Sequence, residues 1–146
     1  MLSVMLIKFM WAIYALLSAL FASLTAIFAK VGIKGVNTDL ATAIRTIVIL
    51  VVAWGIVYFK DESKGILTLS RQNLLFLLLS GLATGLSWIF YFKALQIGKV
   101  SQVAPVDKLS VALTILLSVV FLKEVLTFKA ILGACLIIAG TLVLVF

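Results

Sequence analysis

Three ionisable side chains stand inside long apolar segments of the sequence, where charged groups are rare. Arg45 interrupts one such segment, and Asp107 and Lys108 follow one another in a second. Ionisable groups within membrane-spanning helices are costly, and they usually face a water-filled passage or one another. Asp107 is therefore the candidate proton or cation site, and Arg45 and Lys108 are predicted to line or gate the same polar pathway.

An ion pair between Arg45 and Asp107 is one expectation for these groups, because their segments are predicted to begin on the same membrane face. Lys108 points about 100° away from Asp107 around an ideal helix. We expect it to lie outside such a pair, extending toward the head groups or facing a cavity as a free cation. Trp88 and Tyr91 are three residues apart on one helical face, and they are predicted to anchor the chain at the membrane interface or to line the cavity.

Pro105 is predicted either to start the fourth helix or to kink it, and this leaves two structures open for the segment around Asp107. If the helix begins near Val100, Asp107 lies roughly 10 Å inside it, at about 1.5 Å per residue. If the helix begins at Pro105, the missing N–H is harmless in the first turn, and the positive helix end favours Asp107. The second alternative needs no function. The two are compatible, because transporters form polar sites at partly unwound helices.

The composition argues against most other chemistry. The chain has no histidine, one cysteine and five acidic residues. It therefore lacks the residues for a metal cluster or a histidine-based catalytic triad, and we predict no enzyme activity, no metal and no cofactor. Cys135 has no basic neighbour and is expected to be a small buried hydrophobe. The formal net charge is +7, but the basic residues are scattered singly, which argues against a nucleic-acid partner.

The elements that must position these residues are five apolar segments. The sequence is 65% hydrophobic and 12% charged, a composition unlike that of water-soluble domains. A hydrocarbon core about 30 Å thick is crossed by roughly 20 helical residues. The first segment is too long for the apolar core of a usual signal peptide, so we expect it to remain in the protein. The sequence predicts an all-α polytopic membrane protein, one domain of five transmembrane helices at residues 9–29, 40–59, 73–92, 100–122 and 130–146.

Small residues in these segments mark candidate helix contacts. Lipid provides no hydrophobic force between helices, so small residues are needed where backbones approach closely. Gly81 and Gly85 form a GxxxG pattern on one face of the third segment, and Gly133 and Gly140 lie on the fifth. All four are predicted to pack helices within the chain, and Gly81 and Gly85 are alternatively predicted to form a dimer seam.

The basic residues give little preference for one orientation in the membrane, although Lys and Arg near span ends normally set it. Five spans put the two termini on opposite faces. The basic residues predicted on the N-terminal face are Lys8, Lys60, Lys64, Arg71, Lys123 and Lys129. Those on the opposite face are Lys30, Lys34, Lys93 and Lys99, with Arg45 and Lys108 near the entry of their spans. The chain is expected either to insert in both directions or to keep its N-terminus in the cytoplasm.

The second half of the sequence carries a connected pattern of motifs. Pro105 comes early in the fourth segment, Glu124 follows its end, and "GACLIIAGTLVL" occupies the fifth. With "WIFYFKALQIGKVSQVAP" at residues 88–105, this pattern resembles the EamA repeat of the drug/metabolite transporter superfamily. The position before the acid, usually glycine in that family, is Lys123. The resemblance implies the short, five-helix, single-repeat branch, and export or exchange of small metabolites.

Two functions from different classes follow. The first is a secondary transporter, an exporter or exchanger of small metabolites or drug-like compounds. It would act as a homodimer, antiparallel because transporters commonly pair two inverted repeats and this chain shows no internal repeat. The alternative is a non-transporting membrane subunit or scaffold that packs against partner membrane proteins. The expected partners are the lipid bilayer, a small-molecule substrate and a second copy of the chain, in the cell (inner) membrane.

Overall fold

The computed structural model describes residues 2–146, with side chains described for residues 10–66 and 68–146. This part of the chain is almost entirely helical and contains no strand. The elements in chain order are α1 (Leu2–Gly32), α2 (Thr38–Phe59), a short 3-10 helix (Ser63–Thr68), α3 (Arg71–Ile97), α4 (Val100–Asp107), α5 (Leu109–Leu122) and α6 (Phe128–Val145). The predicted all-α fold is confirmed.

Five helical stretches of the described chain are long and apolar enough to cross a membrane, as predicted. They are Met10–Gly32, Thr38–Phe59, Arg71–Ile97, Val100–Leu122 and Phe128–Val145. The fourth combines α4 and α5. Helix α3 continues past the predicted end at residue 92 and reaches Ile97. The prediction followed the apolar residues, whereas backbone hydrogen bonds can extend a helix into polar residues as well. The side chains of Lys8 and Phe9, beside the predicted start of the first span, lie outside the described side chains.

The helices group into two compact units. One is Gly32–Ile97, which contains α2, the 3-10 helix and α3, and we refer to it as the α2–α3 unit. The other combines the residues up to Val31 with Gly98–Phe146, and we refer to it as the α4–α6 unit. The second unit also includes most of α1. Within it, α6 contacts both α4 and α5.

The start of α2 is defined by local hydrogen bonds. Gly35 adopts a φ of 70° in the preceding turn, a left-handed conformation that glycine takes without steric cost. The Asn37 side chain then caps the helix by accepting hydrogen bonds from two N–H groups of its first turn, that of Asp39 at 2.9 Å. Gln96 of α3 donates to the Val36 carbonyl at 3.0 Å. These contacts determine where α2 begins, and therefore how far Arg45 lies from the start of the helix.

The connection between α5 and α6 is a capped turn. Lys123 ends α5 with φ 55° and ψ 31°, and its N–H and that of Glu124 both donate to the Ser118 carbonyl. The Thr127 side chain caps α6 by accepting from the Ala130 N–H at 3.2 Å. The turn that the resemblance predicts with a glycine therefore forms here with a lysine in the left-handed conformation.

Most large apolar side chains of the described chain are exposed. The buried apolar residues are Ala26, Ala29, Ile33, Phe92 and Leu95. Exposed apolar surface on this scale is not tolerated by a protein dissolved in water. The exposed helix faces are instead solvated by the acyl chains of the bilayer.

The four glycines predicted to pack helices do not mark close contacts within the chain. A Cβ added at Gly81, Gly85, Gly133 or Gly140 would meet no neighbouring side chain or helix within 4 Å. The described chain therefore shows no close helix contact at these glycines, and their role in helix packing stays a prediction. A dimer seam at Gly81 and Gly85 stays a prediction.

Candidate functional site

The span Val100–Leu122 is broken at Lys108, where α4 ends and α5 begins. Pro105 lies inside α4. It has no N–H to donate to the Ser101 carbonyl, and its ring crowds that carbonyl. The helix begins at Val100 and not at Pro105, so the first of the two alternatives is confirmed. The interpretation of Asp107 as a first-turn acid is wrong, because Asp107 is the last residue of α4.

Main-chain groups at this break have hydrogen-bond partners. The Lys108 N–H donates to the Pro105 carbonyl at 3.0 Å, and the Val111 N–H donates to the Lys108 carbonyl at 3.0 Å. The buried hydroxyl of Thr141, on α6, also donates to the Pro105 carbonyl, at 3.2 Å. Backbone groups without partners are costly at membrane depth, so these bonds make the break a defined element of the fold.

Asp107 and Lys108 form an ion pair at the break. The distance from Lys108 Nζ to Asp107 Oδ2 is 3.1 Å. The Lys108 side chain is 58% exposed and the Asp107 side chain is 35% exposed. The expectation that Lys108 is a free cation is wrong. Lys108 is the single residue between α4 and α5, and its long side chain reaches the carboxylate of the residue before it. Asp107 lies about 10 Å from the start of α4, at about 1.5 Å per residue.

Arg45 stacks on aromatic rings of α3 inside the α2–α3 unit. Its Cζ lies 4.2 Å from the ring centroid of Phe92 and 5.9 Å from that of Trp88. These two rings are four residues apart on one face of α3, and Phe92 is only 1% exposed. Such cation–π contacts contribute about 0.5–2 kcal/mol, more when desolvated. Phe92 therefore holds the guanidinium against α3, and Trp88 lies at its side.

One polar atom of Arg45 lacks a partner. Its Nη1 is buried and has no hydrogen-bond partner among the described residues. The buried Thr42, on the same face of α2, donates its hydroxyl to the Thr38 carbonyl at 2.8 Å, and Asp39 pairs with Lys93 at 3.3 Å. A buried donor left unpaired costs about 1–3 kcal/mol, more when it is charged, so this atom requires an explanation.

The structure brings together two pairs of the predicted site residues. Asp107 contacts Lys108, and Arg45 contacts Trp88. Tyr91 lies next to Phe92, with ring centroids 5.6 Å apart. Arg45 and Asp107 belong to different units, and the ion pair between them stays a prediction, as do the pathway roles of all five predicted residues.

Sequence reasoning missed two side chains of this site. Phe92 makes the closest aromatic contact with Arg45. Its four-residue spacing from Trp88, which places both rings on one face of α3, was the sequence feature that could have identified it. Thr141 carries the contact of α6 with the helix break. Nothing in the sequence distinguishes Thr141 from the other hydroxyl residues of the spans, because its role depends on the proximity of α6 to Pro105.

A cavity of about 490 Å³ lies between α5 and α6, apart from these charged groups. Apolar side chains line it almost entirely, among them Leu113, Ile115 and Cys135. Cys135 is exposed within the chain, so the expectation of a buried cysteine is wrong. In a bilayer this cavity is apolar space next to lipid and contains none of the predicted pathway residues.

Known proteins similar to this chain include transporters. The EamA-like transporter family matches residues 9–146. A protein of Sinorhizobium sp, named "Uncharacterized transporter in cobO 3'region", is 48% identical over 134 residues, which cover 92% of this chain and 95% of that protein. An uncharacterized protein of Methanocaldococcus jannaschii is 33% identical over 81 residues, covering 56% of this chain and 59% of that protein. No solved structure matches the chain.

Proposed function

The chain belongs to the EamA-like transporter family, and we propose that it is a secondary transporter that exports or exchanges small metabolites or drug-like compounds. The family and the name of the Sinorhizobium relative support a transporter over a non-transporting subunit. We place it in the cell (inner) membrane, with both units forming one transmembrane domain. The observation that carries the proposal is the broken span with an ion pair at the break, since transporters form their polar sites at discontinuous helices.

The Asp107–Lys108 pair supplies a coupling device for such a transporter. When a proton binds Asp107, the ion pair at 3.1 Å is lost and a net positive charge remains at the break. When the proton leaves, the pair re-forms. A charge change at a break between two helices biases the equilibrium between two arrangements of those helices. Proton binding on one membrane face and release on the other then drives the transporter between an inward-open and an outward-open state.

A second copy of the chain, inserted in the opposite direction, completes the transporter. The chain holds one set of five spans, and transporters commonly surround their site with two inverted repeats. Two observations support an antiparallel pair. The basic residues are evenly divided between the two predicted faces, and the backbone at Gly81 and Gly85 is open to a close approach from outside the chain.

The proposal is tested by uptake into proteoliposomes with an imposed pH gradient. A panel of small organic anions, cations and neutral compounds serves as cargo, and empty liposomes report the passive leak. We expect Asp107→Asn to abolish gradient-driven uptake, because the side chain can no longer exchange a proton. Circular dichroism and size-exclusion chromatography should show a folded protein.

The matched control is Asp61→Asn. Asp61 pairs with Lys64 at 3.8 Å on an exposed loop, so the same chemical change there should leave uptake unaltered. Normal uptake by the Asp107 variant would reduce Asp107 to a structural residue of the helix break. Failure of every compound in the panel to respond to the gradient would contradict the transporter proposal itself.

A further inference from the structure

Arg45 presents a positive charge that the structure holds in place but does not hydrogen-bond fully. Its guanidinium lies 4.2 Å from the ring centroid of the buried Phe92 and 5.9 Å from that of Trp88. The rings fix the position of the cation while supplying no hydrogen-bond acceptor to its edge. Nη1 has no such acceptor in the described part of the chain.

The acidic residues of the α2–α3 unit do not neutralise this charge. Asp39 pairs with Lys93 at 3.3 Å, and Asp61 pairs with Lys64 at 3.8 Å. Glu62 lies in the loop beyond the end of α2. Arg45 lies about 10 Å from the start of its helix, at about 1.5 Å per residue, and its side chain is partly buried. A fixed cation in such a place attracts an anion strongly.

We infer that Arg45, with Trp88 beside it, binds the carboxylate of an organic monoanion that the protein transports. The inference rests on the proposed function and names its substrate class. A guanidinium presents N–H groups in a planar fork that matches the two oxygens of a carboxylate, so a carboxylate gives Nη1 its missing acceptor. The half-buried indole of Trp88 provides an apolar surface for the rest of the molecule.

The charge of the site favours a monoanion over a phosphate monoester. The nearest lysine of the unit along α3, Lys93, is already paired with Asp39, which leaves one uncompensated cation in Arg45. A phosphate monoester carries a charge of about −1.5 to −2, so one arginine would leave excess negative charge within the membrane. A carboxylate and the guanidinium neutralise one another.

Binding is measured in lipid nanodiscs by the fluorescence of Trp88, with Trp11 and Trp54 replaced by phenylalanine. The probes are N-acetylphenylalanine, its neutral amide, and the cation phenylalanine amide, which share one ring and differ in charge. We expect a saturable change with the carboxylate and none with the other two. The titration is repeated in nanodiscs of zwitterionic lipid and in nanodiscs that also contain anionic lipid. If the site binds lipid head groups and not free carboxylates, the anionic lipid should compete with the probe.

Arg45 variants test the role of the guanidinium. We expect Arg45→Met to weaken binding of N-acetylphenylalanine by about 10- to 100-fold, since hydrogen bonds to charged groups are lost. Arg45→Lys should recover only part of the affinity, because an ammonium lacks the planar fork. Arg45→Met should unfold at a temperature close to that of the parent, since the lost cation–π contacts are offset by removal of a buried unpaired donor. The control Lys64→Met removes the same charge from an exposed loop pair and should bind as the parent does.

Three results would overturn the inference: equal binding of the carboxylate and its amide, unchanged binding by Arg45→Met, or displacement of the probe by anionic lipid. If Arg45→Met does not fold, Arg45→Lys decides the question through the same titration. Gradient-driven uptake of cations without anion binding would refute the carboxylate site and leave the proposed transporter intact. Arg45-dependent anion binding without uptake of any compound would support the carboxylate site and refute the proposed transporter.

Discussion

At the residue scale, the few polar groups that the described chain buries differ in whether they have a hydrogen-bond partner. Thr42 and Thr141 are buried, and each donates its hydroxyl to a main-chain carbonyl. Arg45 is held by aromatic rings and leaves Nη1 without an acceptor. A satisfied buried group stabilises the fold, whereas an unsatisfied one lowers its stability, and the carboxylate proposed for Arg45 would supply the missing acceptor.

Thr141 provides a stability test at this scale. Thr141→Val keeps the shape of the side chain and removes the hydrogen bond to the Pro105 carbonyl, 3.2 Å long. We expect the free energy of unfolding to fall by about 0.5–1.5 kcal/mol, the size of hydrogen bonds between membrane helices. The measurement is unfolding in mixed micelles of detergent and denaturing surfactant.

Thr84→Val is the matched control for that substitution. The Thr84 hydroxyl donates to the Ser80 carbonyl of its own helix at 2.9 Å and is exposed. Its loss should change stability by less than the loss at Thr141, because the helix backbone remains bonded without it. Equal effects at the two positions would mean that the contact of α6 with the helix break contributes little to stability.

At the scale of the elements, the fourth span consists of two short helices, and each of its irregular points has a local cause. Pro105 removes one backbone donor from α4, and the chain turns at Lys108 before α5 begins. At the other end, Lys123 adopts the left-handed conformation that allows α5 to stop. A residue with a Cβ has a steric cost of about 1–2 kcal/mol in that conformation.

The end of α5 yields a prediction about Lys123. Lys123→Gly should raise the free energy of unfolding by about 0.5–1 kcal/mol, because glycine adopts the left-handed conformation without that cost. Lys123→Ala removes the same charge and keeps the Cβ, so it separates the backbone effect from the electrostatic one. A glycine variant no more stable than the alanine variant would show that the conformation carries no steric cost here. Thermal unfolding in detergent measures both.

At the scale of the whole molecule, apolar surface dominates the exposed faces of the described helices. The bilayer solvates that surface, and the same surface can be covered by another copy of the chain. Between helices in lipid, association depends on close packing and not on exclusion of water. The open backbone at Gly81 and Gly85 is therefore the kind of surface on which a second copy can approach closely.

The proposed antiparallel dimer predicts that the protein inserts in both orientations. Fusions of the C-terminus to one reporter active only in the cytoplasm and to another active only outside it should both give signal. The reason is the even division of basic residues between the two faces. Activity of one reporter alone would rule out the antiparallel dimer.

A charge variant provides the control for that experiment. Ser63→Lys together with Gln72→Lys adds two basic residues to the predicted N-terminal face, at the 3-10 helix and the start of α3. Because basic loop residues are retained in the cytoplasm, the doubly substituted chain should take one orientation. Its C-terminus should then activate only the reporter outside the cytoplasm.

The sequence by itself determined the five spans, the all-α class and the three charged residues within the spans. Hydropathy and segment length are properties of consecutive residues, and a bilayer imposes helical structure on any such apolar segment. The prediction that Pro105 disturbs the fourth span had the same local basis, since a missing N–H acts wherever the proline lies.

Only the tertiary structure decided which partner each polar side chain has. It placed Lys108 on Asp107, Phe92 under Arg45 and Thr141 on the Pro105 carbonyl, and it left the predicted packing glycines open. A hydrogen bond or ion pair requires two atoms within about 3–4 Å. Spacing along the chain determines which face of a helix a residue occupies. For Arg45 and Thr141 the neighbour on that face comes from another helix, at a distance that depends on how the helices pack, and for Lys108 the contact depends on which way its side chain turns.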